Sequence, residues 1–342
     1  MPSTNLVGMK TECNWEVIQR IDTQQTSGGN FCTRYLVVNP QGKIAFLKAM
    51  DLSRAFKEED ELKALQTLTS EYLFEQEILF FCKDKKLPNV VTPISAGQIV
   101  NNQFPAPLNK VYFIIFEKAE CDMREAFLKA KPSIWREFFK AMHHVCLGIE
   151  QLHMNGIAHQ DVKPSNILHF KEFKSKISDL GRVTDDKGKS PFIKYYYPGD
   201  MRYAPIEVHY RVRYPTFQHR YLCDLYAVGS LIYQTIMGPS VTASLASEST
   251  LLNQQIFSVS YDESLPVHIT AFSTLMSRLH DECRKLFTPQ ISDAIVIAIS
   301  EMCHPDFRKR GSPKIISAPY KFNMRRYSGK MANIHRLMLV QG

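Results

Sequence analysis

The chain of 342 residues predicts an α+β fold in two lobes, a small β-rich N-terminal lobe with one long helix and a larger, mostly helical C-terminal lobe. Two observations predict it. Residues 15–50 contain short apolar runs, "WEVIQRI", "FCTRYLVVN" and "IAFLKAM", separated by polar or turn-forming stretches such as "PQGK", which is the pattern of an antiparallel meander. Beyond about Lys118 the apolar residues recur at helical spacing instead. A third observation sets the scale: with 44% hydrophobic residues the chain can bury a real core.

In chain order, the charged stretch "LSRAFKEEDELKALQTLTSEYLFEQEILFFCKDKK" follows the meander and reads as the long helix. "LPNVVTPISAGQIV" and "KVYFIIFEKA" return to strand character around the turn "NNQFPAPLN". The second lobe carries "DMREAFLKA", "SIWREFFKAMHHVCLGIEQLHMNG", "DLYAVGSLIYQTIMG" and "QISDAIVIAISEM" as helices. The lobes are placed at 14–118 and 119–318, one domain overall, with a basic tail at 319–342. A cleft between two such lobes is a natural ligand site.

Composition excludes several classes. No apolar run approaches the roughly 18 residues that span a membrane, and the first residues lack a cationic-then-apolar leader. A cytoplasmic protein is expected. The eight cysteines are scattered without a CxxC pair, which argues against a zinc site or a disulfide framework. The net charge of +8 is local: nine Lys or Arg and no Asp or Glu lie between Phe307 and Gly342, leaving 33 basic against 34 acidic residues elsewhere. No specific nucleic-acid partner is therefore expected, although the basic tail could meet an anionic partner.

The chemistry concentrates in "AHQDVKPSNILHF", residues 158–170, with "SDLG" placing Asp179 thirteen residues after Asn166. Upstream, Lys48 ends "AFLK" and Glu75 lies in "YLFEQEIL", where Ile78 and Leu79 follow on the core face. Phosphoryl transfer needs these residue types. A cation must meet the phosphates (Lys48), and a carboxylate must hold that flexible side chain (Glu75). A hard divalent cation suits an aspartate and an asparagine carbonyl (Asp179, Asn166). Asp161 can orient the attacking hydroxyl and accept its proton, while Lys163 steadies the transferring group.

These segments resemble the eukaryotic-type protein kinase family over roughly Trp15 to Pro313. "HQDVKPSN" is similar to its catalytic loop, "DLG" to its magnesium-binding segment and "LPNVV" to the approach to its fourth strand. "IIFEKAECDM" resembles the hinge, with Phe116 as gatekeeper, and "IEQLHMNGIAH" the helix and turn before the loop. "GDMRYAPIE" is similar to the Ala-Pro-Glu segment, whose Glu207 should pair with Arg308. "DLYAVGSLIY" resembles the helix whose Asp224 bonds the catalytic-loop backbone. The resemblance implies a bilobal protein kinase fold, ATP with Mg²⁺ (Mn²⁺ as an alternative), and transfer to Ser/Thr hydroxyls of a protein substrate. It implies nucleotide contacts at Ser27, Gly28, Gly29, Lys48, Glu117, Ala119, Asp122 and Leu168, and a structural rather than acid–base role for His159.

Four departures qualify the resemblance. Gln160 replaces the family's arginine, so no charge awaits a phosphate on the activation segment. Activity is expected without phosphorylation there, at Thr184 or Ser190. In the phosphate-covering loop only Gly29 falls on a motif glycine, and Arg34 stands where a valine packs on adenine. Phe46 replaces the small residue of the adenine roof and crowds the base unless it points away or a bulge shifts the register. Asp200 stands for the usual threonine. A pseudokinase acting as a nucleotide-binding or scaffolding module is the alternative these changes raise, and a small-molecule phosphotransferase of kinase-like fold the lesser one.

Overall fold

The computed structural model describes residues 2–21, 32–50, 52–106, 109–128, 134–212, 216–313 and 323–340. The chain forms two compact units, Met1–Glu120 with Asp179–Gly181, and Cys121–Ser178 with Arg182–Gly342.

The first unit is built on an antiparallel sheet of β1 (Glu16–Arg20), β2 (Cys32–Val38), β3 (Ile44–Met50), β4 (Pro93–Val100) and β5 (Lys110–Glu117), in the order β1-β2-β3-β5-β4. Alternation along the strands sends Tyr35, Val37, Ala45, Leu47, Ala49, Phe113 and Ile115 into one core. That core also takes Leu6 and Trp15. Tyr35 Oη donates to Ser3 O at 2.5 Å, and the buried Asn101 side chain donates to Pro2 O at 3.0 Å. The unit therefore begins before the expected boundary at residue 14, because these residues supply core area and satisfy buried polar groups. Helix α1 (Glu61–Asp84) starts where Asp60 accepts from the Lys63 amide. A short 3₁₀ turn at Leu52–Lys57 fills the long connection ahead of it.

The second unit contains small strands β6 (Cys121–Asp122), β7 (Ile157–Ala158), β8 (Ile167–Phe170), β9 (Lys174–Ile177) and β10 (Thr184–Asp185). Its helices are α2 (Met123–Leu128), α3 (Ile134–His153), α4 (Ile206–His209), α5 (Gln218–Met237), α6 (Val241–Leu252), α7 (Tyr261–Leu286), α8 (Pro289–Met302) and α9 (Met324–Val340). Helix α5 is buried on every side from Leu222 to Tyr233, as a helix apolar all round must be. Among the described residues no helix is long and apolar enough to cross a membrane.

Two expectations need correction here. Residues 324–340 are not a tail: α9 lies along α3 and buries Met324, Tyr327, Met331, Ile334 and Met338. Of its basic residues Arg325 and Arg336 are exposed, while Arg326 and Lys330 are half-buried and meet Glu301 of α8 at 3.5 and 3.1 Å. A spacing of three or four apolar residues hidden among cations gave the segment its tail-like composition. The second correction concerns Glu207, whose partner is Arg310 rather than Arg308. Arg310 is fully buried and bidentate on Glu207 at 2.7 and 2.9 Å, with His304 O as a further acceptor. Arg308, two residues earlier, turns outward to Asp306 and Asp262. Three cations in "RKR" look alike in sequence; the turn after Pro305 decides which one faces inward.

Two outcomes follow. Arg310→Ala, which strands a buried carboxylate, should cost about 3–5 kcal/mol in urea denaturation, whereas Arg308→Ala should cost under about 1 kcal/mol; equal costs would contradict the assignment. The second concerns His268, fully buried with its ring nitrogens against Tyr210 Oη at 2.8 Å and Ser249 Oγ at 2.7 Å. Burial pulls its pKa down to about 4. Below pH 6.5 the unfolded chain takes up a proton that the folded one refuses, so stability falls as pH drops from 6.5 towards 4. By pH 5 this group should remove about 2 kcal/mol. His268→Asn should lose that part of the slope in urea titrations at pH 7 and pH 5, and an unaltered slope would refute the account.

Candidate active site

Glu75 lies on the buried stripe of α1 with Leu68, Phe74, Ile78, Leu79 and Cys82. Its neighbours Glu71 and Glu77 fall off that stripe. The carboxylate meets Lys48 Nζ on β3 at 2.6 and 2.9 Å, and Asp179 Oδ1 lies 3.7 Å from the same nitrogen. Burial works against the ammonium, but the two carboxylates outweigh it and raise the Lys48 pKa above its ordinary value. Lys48 is thus held charged. Cys32 shares this environment: burial, helped by Glu75 and Asp179 and opposed by Lys48, pushes its thiol up to about 11.

The strand that delivers Lys48 also decides the place of Phe46. Ala45, Leu47 and Ala49 face the core, so Phe46 and Lys48 share the other face. The β2–β3 and β3–β5 registers run without a shift, pairing Phe46 with Leu36 and with Phe116. No bulge moves the ring, and it lies 6.4 Å from the Phe116 ring, tilted by 45°. Arg34 is paired with Lys48 across β2–β3. Ser27, Gly28 and Gly29 lie outside the described residues. Glu117 ends β5, and Ala119 follows it.

In the second unit, Asp161 is buried and its carboxylate is fixed from three directions. Oδ2 accepts from Lys163 Nζ at 2.8 Å and from Asn166 Nδ2 at 3.1 Å, and Oδ1 accepts from the Asp200 amide at 3.0 Å. Asn166 also donates to Asp161 O, so its amide group is turned towards Asp161, and its carbonyl oxygen, a hard donor, accepts from Ser165 Oγ at 3.3 Å. Asp200 uses only its backbone here; its carboxylate binds Arg202 at 2.6 Å. Asp122 and Leu168 are partners in the β6–β8 register, which brings these two together. His159 is buried with Nε2 on Ser178 O, a structural contact.

The loop is shaped by Asp224 on α5. This fully buried carboxylate accepts from the amides of His159 and Gln160, each at 2.7 Å, from His153 Nε2 at 2.9 Å and from Gln160 Nε2 at 3.3 Å. Gln160 adopts φ 65° to present those successive amides, and Asp179 has φ 62°; left-handed side-chain residues of this kind concentrate at functional sites. Gly199 is required for its size: a Cβ there would lie 2.0 Å from Gln160 O. The sequence did not reveal Gly199's contact, the Asp200 amide or Arg220, because each depends on how the activation segment crosses the loop. A charged residue set among the apolar residues of α5 was the one available signal for Arg220.

A model of the protein kinase domain matches residues 23–320. The chain belongs to the protein kinase family. A Wee1-like protein kinase of Arabidopsis thaliana is 32% identical over 127 residues, 36% of this chain and 24% of that protein. Another from Oryza sativa subsp. japonica is 32% identical over 130 residues, 38% of this chain and 23% of that protein. The serine/threonine-protein kinase PLK4 of Drosophila simulans is 27% identical over 196 residues, 57% of this chain and 23% of that protein. The matched stretches thus cover about a quarter of these relatives' length. A protein kinase uses ATP and a divalent metal; in the first unit the carboxylate-held Lys48 suits phosphate and the Asp179 carboxylate a hard cation, and in the second unit the Asn166 amide oxygen is of the same hard-donor type.

Phe46 is the residue of this kinase that argues against tight nucleotide binding. Phe46→Ala should lower the KM for ATP severalfold with little change in kcat, read from initial rates against ATP concentration; an unchanged or higher KM would show that the ring does not crowd the base.

Proposed function

We propose that this chain is an active Ser/Thr-directed protein kinase that transfers the γ-phosphate of ATP with Mg²⁺ and needs no phosphate on its activation segment. The observation that carries this reading is the Asp161 carboxylate, aligned by Lys163, Asn166 and the Asp200 amide. A carboxylate so fixed can orient a substrate hydroxyl and take its proton. Lys163 then answers the charge that develops on the transferring group. Lys48, kept charged and aimed by Glu75, neutralises phosphate oxygens. Asn166 and Asp179 would hold the metal, which supplies electrostatic shielding between the phosphates. Catalysis is positioning and electrostatic stabilisation, with no covalent intermediate on the protein. Lys163 and the Ser/Thr kinase among the relatives support phosphoryl transfer to Ser or Thr hydroxyls.

Independence from phosphorylation is supported by the two candidate acceptors. Thr184 is fully buried in the β7–β10 pair. Ser190 is 2% exposed, donates to Val183 O at 2.8 Å and takes its amide to Asp185. Neither hydroxyl stands ready for an incoming kinase.

The second reading, a scaffold that binds no nucleotide, is favoured by Phe46. One experiment separates them. Phosphatase-treated protein should phosphorylate a mixed peptide substrate with Mg²⁺ and ATP, should show a thermal shift with millimolar Mg-ATP, and should lose most transfer but not the shift on Asp161→Asn. Absence of both shift and transfer favours the scaffold, and transfer that vanishes on phosphatase treatment defeats the phosphate-free reading.

A further inference from the structure

Gln160 is neutral where the family has an arginine, yet a guanidinium is present at that place. Arg220, in the first turn of α5, is 5% exposed. Its Nη1 donates to Gln160 Oε1 at 3.2 Å, and its Nη2 donates to Ile193 O at 2.9 Å and to Tyr195 O at 3.0 Å. Gln160 completes the link by donating from Nε2 to Arg220 O at 2.8 Å. One side chain therefore ties the catalytic loop, α5 and the activation segment together. Just beyond the tied carbonyls the segment passes the loop at Gly199, where a Cβ would lie 2.0 Å from Gln160 O, and bonds Asp161 through the Asp200 amide.

We propose that Arg220 is a positioning residue for phosphoryl transfer: it latches residues 193–195 of the activation segment to the catalytic loop through backbone carbonyls, in place of a phosphate. This rests on the kinase reading above and supplies its mechanism. A phosphate-dependent loop gathers an arginine to a modified side chain. Here the acceptors are carbonyls that are always present, so the latch closes as the chain folds. Gln160 is part of the device and not merely a lost charge. Its amide offers an oxygen to Arg220 and a nitrogen to Asp224 and Arg220 O, and both ends are used. An arginine at 160 would present donors to donors and set two guanidinium groups together. Arg182 repeats the chemistry further along, donating to Pro198 O.

Lys194 lies between the two latched carbonyls, is exposed, and is a trypsin site, so limited proteolysis reads the latch directly. Arg220→Gln should speed cleavage after Lys194 by roughly tenfold or more, and should lower kcat/KM for peptide by a similar factor while the Mg-ATP affinity changes less than about twofold. Gln160→Arg, which sets two guanidinium groups together, should expose Lys194 in the same way. Cleavage is compared at matched temperatures below each variant's Tm, so that a global loss of stability does not stand for loss of the latch. Unchanged cleavage in Arg220→Gln, or protection retained in Gln160→Arg, overturns the proposal. If the wild-type protein transfers no phosphate, the kinase reading fails while the cleavage pattern still decides the latch.

Discussion

The buried carboxylate of Asp224 is the constraint on which the catalytic loop depends. A charge with no exposure is costly unless donors replace the lost water, and here two backbone amides, an imidazole and a side-chain amide do so. Supplying two successive amides to one carboxylate requires a left-handed residue at 160, a conformation that costs on the order of 1–3 kcal/mol for a side-chain residue. Once that turn is made, Asp161 has a fixed direction, and Lys163 and Asn166 can both reach it. The loop is thus organised from beneath by the most buried helix of its unit. An identical loop sequence without α5 would have no reason to adopt this geometry.

In the first unit the corresponding organiser is the ion pair between Lys48 and Glu75. It is partly buried, bidentate and joined by Asp179, so its role is to aim a charged group more than to stabilise the fold; ion pairs of this kind return little net stability. A lysine has four rotatable bonds, and two carboxylates confine it where solvent would leave it mobile. Burial, with Glu75 and Asp179 adding to it against the opposing Lys48, pushes the neighbouring Cys32 thiol upward and keeps it protonated. Both organisers follow one principle: a carboxylate with its bonds satisfied is a rigid object, and it transmits that rigidity to whatever it holds.

The departures from the family's usual pattern behave differently from one another. Phe46 keeps a regular register and stays on the Lys48 face, so the strand absorbs nothing on its behalf. Gln160, by contrast, is compensated nearby: Arg220 reaches the same place from α5, and the hydroxyls of Thr184 and Ser190 are buried. A substitution that looks like loss in an aligned motif can therefore be one half of a paired change whose other half lies 60 residues away. The two cases differ because a side-chain amide can satisfy a buried guanidinium, whereas an aromatic ring in a strand has only its neighbours' space to use.

Much of this protein was legible in its residues because short-range rules govern it. Alternation identified the strands around Lys48, the helical stripe of Ile78 and Leu79 selected Glu75 over its acidic neighbours, and short spacing within one loop put Lys163 and Asn166 beside Asp161. What sequence could not resolve were choices between chemically equal candidates and contacts across long separations. Arg310 and Arg308 are equivalent as letters, and only the turn after Pro305 buries one of them. The segment 324–340 has the charge of a tail, and only the presence of α3 converts its five buried apolar residues into a helix face. Arg220, Gly199 and the Asp200 amide gain their roles from the path of the activation segment over the loop. Local periodicity and residue chemistry determined which groups this chain brings to its reaction; burial, which exists only in the folded state, decided which of them are charged, paired and held still.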